Sequence, residues 1–173
     1  MKKGFCALFV LFVAITLIFT PTFAQTNNES VLIHPLLYSN GSTITVTTDQ
    51  EIILGIGWGA CSPGLVRAFI QAVHLEWTLN DQLVLPQADS LQYWSEINVI
   101  NPIINACMAG NSTVWGSSWR YSLGNLEPGA YTVHFLEWLA HPLIDGGDSN
   151  GDGKMDIFSG VITDWSVTIL VEE

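Results

Sequence analysis

Between positions 148 and 156 the chain reads Asp148-Ser149-Asn150-Gly151-Asp152-Gly153-Lys154-Met155-Asp156, with side-chain oxygens at Asp148, Asn150, Asp152 and Asp156. Oxygens at alternate positions turn toward one point when a short backbone curls, and carboxylates brought together repel unless a hard cation lies between them. The glycines allow the sharp turns that such a curl needs. These residue types at this spacing point to calcium as a cofactor. The competing reading is an ordinary Gly/Asp turn that holds no ion.

Other residues group by the chemistry they can support. His74, Glu76 and His134, with His141 nearby, are a candidate zinc set of imidazoles and a carboxylate, and the plainer alternative is solvated or hydrogen-bonded sheet residues. Glu76 with Glu137 offers a carboxylate pair of the kind that hydrolyses glycosides, although any exposed pair would qualify. There is no Gly-x-Ser-x-Gly elbow and no phosphate-cradling glycine loop, so catalysis is the weaker expectation and the site assignment includes no catalytic residue. Arg67 and Arg120 are read as partners of local carboxylates. The seven tryptophans invite a sugar-stacking surface. Trp58, Trp77 and Trp165 fall on faces that read as buried, while Trp94, Trp115, Trp119 and Trp138 are either covered or exposed.

The 148–156 stretch resembles the first nine positions of the EF-hand and dockerin calcium loops, with Gly153 at the sixth position where those loops turn. The resemblance implies side-chain ligation by Asp148, Asn150, Asp152 and Asp156, and ligation by the backbone carbonyl of Lys154. Position twelve is Ser159, where those loops carry a bidentate glutamate, and no amphipathic helices flank the segment. Asp145 or Asp164 is available to supply the missing carboxylate, and the loop spans about 145–160. An affinity of ~10⁻⁴ to 10⁻³ M is expected, the range of extracellular modules.

Lys2 and Lys3 precede an apolar run from Phe5 to Phe19 and the small-x-small pattern Thr22-Phe23-Ala24. Residues 1–24 read as a secretory signal peptide, and 25–173 as one exported domain, extracellular or periplasmic, with no later segment long enough to span a membrane. Loss of the two lysines takes the formal charge from −11 to −13 and leaves Arg67, Arg120 and Lys154 as the strongly basic residues. Nucleic acid is an unfavourable partner for such a chain. Cys61 and Cys107 are the cysteines that survive processing, and an oxidising compartment favours a bridge between them over two separate thiols. The sequons at Asn28, Asn40 and Asn111 carry no functional weight without a known source.

Alternation with period two dominates the mature chain. It marks strands at Ser42–Thr48, Ile52–Trp58, Ala68–Leu79, Thr113–Leu123, Ala130–Leu139 and Val161–Val171, and Asn80-Asp81 reads as a turn into a short strand near Leu83–Leu85. The pattern fails over about 86–110, where Asp89-Ser90 followed by Leu91, Trp94 and Ile97 reads as a short capped helix in an insertion. About seven strands without a βα repeat predict an all-β sandwich.

Leu126-Glu127-Pro128-Gly129-Ala130-Tyr131 resembles the tyrosine corner of immunoglobulin-like and fibronectin-type sandwiches, in which Trp77 would occupy the buried tryptophan position of strand C. That resemblance places the calcium loop and the Gly59–Gly64 segment at one end of the sandwich, where the disulfide would draw in the insertion. The expectation is a non-enzymatic, calcium-stabilised binding or adhesion module for an extracellular protein or surface component. A carbohydrate-binding module is the alternative, and a metal-dependent hydrolase using His74, Glu76 and His134 is the third reading.

Overall fold

The computed structural model describes residues 29–100, 107–108 and 113–173. The proposed signal peptide lies outside these residues, as do the sequon asparagines Asn28 and Asn111. The strands are β1 (Val31–Ile33), β2 (Ser42–Thr47), β3 (Ile52–Ala60), β4 (Val73–Leu79), β5 (Gln82–Leu83), β6 (Asn98–Ile100), β7 (Val114–Gly124), β8 (Gly129–Ile144) and β9 (Ile157–Glu172). The helices are α1 (Pro63–Ala72) and α2 (Gln87–Ser90), and a 3₁₀ turn over Leu91–Tyr93 follows α2.

The strands form two sheets, β1-β3-β7-β6 and β2-β9-β8-β4-β5. The chain is an all-β sandwich with a short helical insertion, as the alternation predicts. β1 runs parallel to β3 in one sheet and β2 parallel to β9 in the other, so the first described residues tie both sheets together. Every other strand pairing among the described residues is antiparallel. Period two is visible in burial: on β9, Trp165, Val167, Ile169 and Val171 point inward, and their neighbours do not. Trp77 of β4 lies at the centre, stacked on Phe135 at 4.2 Å and facing Trp119 at 5.9 Å.

The turn at Asn80-Asp81 has both residues in the left-handed region, φ 50° and 63°, as a tight hairpin requires. The Tyr131 hydroxyl donates to the carbonyl of Glu127 at 3.0 Å, tying the start of β8 to the turn before it.

Two element boundaries differ from the sequence reading. The strand expected from Ala68 begins at Val73, because Ser62 caps a helix there: its Oγ accepts from the Leu65 N–H, and Pro63 occupies the first turn. Arg67 is an exposed residue of this helix. In the insertion, the helical turn spans Gln87–Tyr93 and stops short of Ile97. From Trp94 onward the backbone pairs with β7, through a Trp94–Trp119 bridge and a Ser95 N–H to Ser118 carbonyl bond, so sheet pairing prevails over local helix formation.

Gln87 has a second role. Its side-chain amide accepts from Leu75 N and donates to Val73 O, pairing with the stretch of β4 that β5 is too short to reach.

Candidate metal centre and the cysteine-stapled end

The loop between β8 and β9 leaves the sandwich through a narrow neck. The Cys61 N–H donates to Asp145 O at 2.7 Å, Met108 N–H to Gly146 O at 3.1 Å, and Asp156 N–H to Gly147 O at 2.9 Å. Cys107 bridges to Gly147 and is disulfide-bonded to Cys61, with Cα atoms 5.6 Å apart. The expected disulfide is present, and it joins the end of β3, the insertion and the loop neck. Gly146 has φ 82°, and a Cβ there would lie 2.9 Å from Cys61 Cβ and 3.2 Å from Leu65 Cδ1. Glycine is required at this crossing both by conformation and by space.

Beyond the neck the side-chain oxygens gather backbone N–H groups. Asp148 accepts from Asp152 N and Gly153 N, Asn150 from Asp152 N, Asp152 from Lys154 N, and Asp156 from Ser149 N, at 2.8–3.0 Å. Gly151 and Gly153 take φ 74° and 80°, so the chain turns at the fourth and sixth loop positions. Hydrogen bonds from the Ser149 side chain and N–H hold the Asp156 carboxyl below the usual carboxylate range. Burial raises that of Asp145, the Gly147 N–H opposes this, and the Asp156 charge adds to the rise. Asp145 thus stands at the base of the loop, whereas Asp164 sits on the outer face of β9, bonded to His134 Nε2 at 2.8 Å. Among the described residues, no three His, Cys, Asp or Glu side chains are gathered closely enough to hold a metal ion as they stand.

The other sequence-derived sets are dispersed. His74 pairs across the sheet with Trp138, and His134 with Thr78, four residues apart on β8, or roughly 13 Å at ~3.3 Å per residue. The His74 ring stacks on Trp138 with centroids 4.1 Å apart. Glu76 is exposed on that outer face, whereas Glu137 points between the sheets and is 7% exposed, accepting from Thr163 Oγ1 at 2.9 Å. The two carboxylates lie on opposite faces of one sheet and do not form an acid–base pair across a substrate.

The tryptophans pack. Trp77, Trp119 and Trp165 are buried, and Trp58, Trp94, Trp115 and Trp138 are half-buried. Trp119 is 1% exposed and donates its indole N–H to Ser90 O, so its ring face is not open to a sugar. Arg67 and Arg120 form no ion pair among the described residues, where the single such contact is His134–Asp164.

No protein-family model matches this chain, and no curated protein matches it in sequence. Solved structures similar to it include the cysteine protease inhibitor EhICP2 from Entamoeba histolytica, 6% identical with a TM-score of 0.35, covering 83% of this chain and 96% of that one. Amebosin, solved in solution, is 7% identical with a TM-score of 0.31, covering 83% and 98%. Likenesses of this size carry no argument about binding or activity.

Proposed function

We propose that the chain is an exported, non-enzymatic binding module of immunoglobulin-like type, with the 148–156 loop as a calcium site and the stapled end of the sandwich as its contact surface. The observation that carries this reading is the loop itself: four hard-oxygen side chains at Asp148, Asn150, Asp152 and Asp156, with glycine turns between them, on a neck fastened by a disulfide. The donor set fits calcium, which takes carboxylate, amide and carbonyl oxygens in flexible geometry. Lys154 would contribute its backbone carbonyl, and Asp145 stands nearest to supply a further oxygen. The ion would offset carboxylate repulsion and order the loop.

Support for a contact surface comes from what surrounds the loop. Met108, Ile144, Met155 and Ile157 are 41%, 39%, 44% and 68% exposed around its neck. Apolar side chains beside an acidic loop suit an extracellular protein partner better than a sugar, which would need an open aromatic face. The disulfide favours an oxidising compartment. Among the described residues, no helix is long and apolar enough to cross a membrane.

Calorimetry and thermal unfolding, with calcium and then with chelator, test the reading. At calcium 100 times the dissociation constant, binding should stabilise the fold by ~2.7 kcal/mol, or roughly 5–10 °C in midpoint. Asp152→Ala should abolish most of that gain and leave the strands intact. Equal midpoints with chelator and with calcium at ~100 mM, 100 times the weakest expected dissociation constant, and no heat of binding, would exclude the site.

A further inference from the structure

The tripeptide Ser-Asn-Gly occurs twice in this chain, at Ser39-Asn40-Gly41 and at Ser149-Asn150-Gly151. An asparagine followed by glycine is chemically fragile, because without a side chain on the next residue the backbone nitrogen can reach the asparagine Cγ. The two copies are closely matched: both glycines are exposed, with φ 77° and 74°. They differ in what holds the attacking nitrogen.

Gly41 N–H donates to Ser166 O at 2.8 Å, and Asn40 Oδ1 accepts from Ser166 N at 2.9 Å and from Ser166 Oγ at 3.3 Å. Nucleophile and electrophile are both fastened to β9. Gly151 N–H has no hydrogen bond among the described residues, and the space around its α-carbon is open. Asn150 is held through Oδ1 by Asp152 N alone, within its own turn.

We propose that Asn150 is a site of spontaneous deamidation and that the fold protects Asn40 from the same reaction. The Gly151 nitrogen loses its proton to solvent and bonds to Asn150 Cγ. The Cγ–Nδ2 bond breaks, ammonia leaves, and a cyclic succinimide joins the two residues. Water then adds to either ring carbonyl and opens it to aspartate or isoaspartate, with no change of oxidation state. Aspartate places a new charge midway between Asp148 and Asp152. Isoaspartate lengthens the backbone by one carbon and breaks their two-residue spacing. Either product changes the oxygen set of the loop, whether or not an ion occupies it.

The test is ageing of the purified chain at mildly alkaline pH, folded and in parallel in urea. Digestion, mass spectrometry and isoaspartyl methyltransferase labelling then follow both asparagines. In the folded chain, Asn150 should convert about tenfold ahead of Asn40, the ~1.4 kcal/mol that one hydrogen bond on the attacking nitrogen adds to the barrier. In urea the two rates should converge, because the local sequence is shared. Gly151→Ala should suppress conversion at 150. Equal rates in the folded chain, Asn40 reacting first, the same preference persisting in urea, or undiminished conversion in Gly151→Ala would each overturn the proposal.

Discussion

Glu137 follows the inward rhythm of Val133, Phe135 and Leu139 on β8, so strand geometry carries a carboxylate into the space between the sheets. Burial raises its pKa above the ordinary glutamate range, and the Thr163 hydrogen bond opposes that rise. The folded state therefore keeps the proton to higher pH than the unfolded chain does. The associated stability is fully present below the unfolded-state pKa and is lost as pH rises through the folded-state value. Glu137→Gln should flatten that decline and raise the thermal midpoint at neutral pH. An unchanged slope across a pH series of melts would show that Glu137 ionisation is not what weakens the fold. Thr163→Val, which removes the hydroxyl donor, should cost ~1–3 kcal/mol in urea unfolding at neutral pH. Alternation alone makes the inward direction of Glu137 legible. Its hydroxyl partner is not, because Thr163 lies on another strand and stands opposite Glu137 only through the β8–β9 register.

At the level of elements, the strands were readable wherever one face is buried, as in β2, β4 and β9, since a single face of apolar residues leaves a period-two trace. α1 was missed although its signals are present, Ser62 before Pro63 and an apolar pair at Val66 and Phe69 that the fold buries. Its apolar residues merge into the alternation of β4 without a break, so the strand reading extends too far back. Ser62→Ala should cost ~1 kcal/mol through loss of the cap. A lower urea midpoint with an unchanged denaturant slope would be the expected result, and no shift would mean that tertiary packing of Val66 and Phe69 holds the helix without its cap. β6 gives no strand signal for a different reason: it pairs at an edge with all three residues exposed, so it has no buried face to leave a periodic trace.

For the molecule as a whole, the disulfide closes a separation of 46 residues. In the chain-entropy picture, the loss of such a bridge costs ~4 kcal/mol. We expect Cys61→Ser with Cys107→Ser to lower the midpoint substantially, and to speed hydrogen exchange at the Met108 and Asp156 amides, which close the loop neck, before exchange rises in β8 and β9. Uniform acceleration across both sheets would show instead that the bridge stabilises only through the unfolded chain.

The amino-acid sequence alone determined that this chain makes an all-β sandwich with an irregular insertion, and it favoured a bridge between Cys61 and Cys107 that the structure shows. Alternating burial and the scarcity of thiols are local facts that folding does not need to interpret. Tertiary structure alone decided which groups meet. His74 and His134 are brought to neighbouring strands but held apart by register, Glu76 and Glu137 fall on opposite faces, and Trp119 goes to the core. It also set Gly146 beneath Cys61, where no side chain fits. Register and sheet order are set by the summed packing of residues far apart in the chain, so no spacing within one segment can report them.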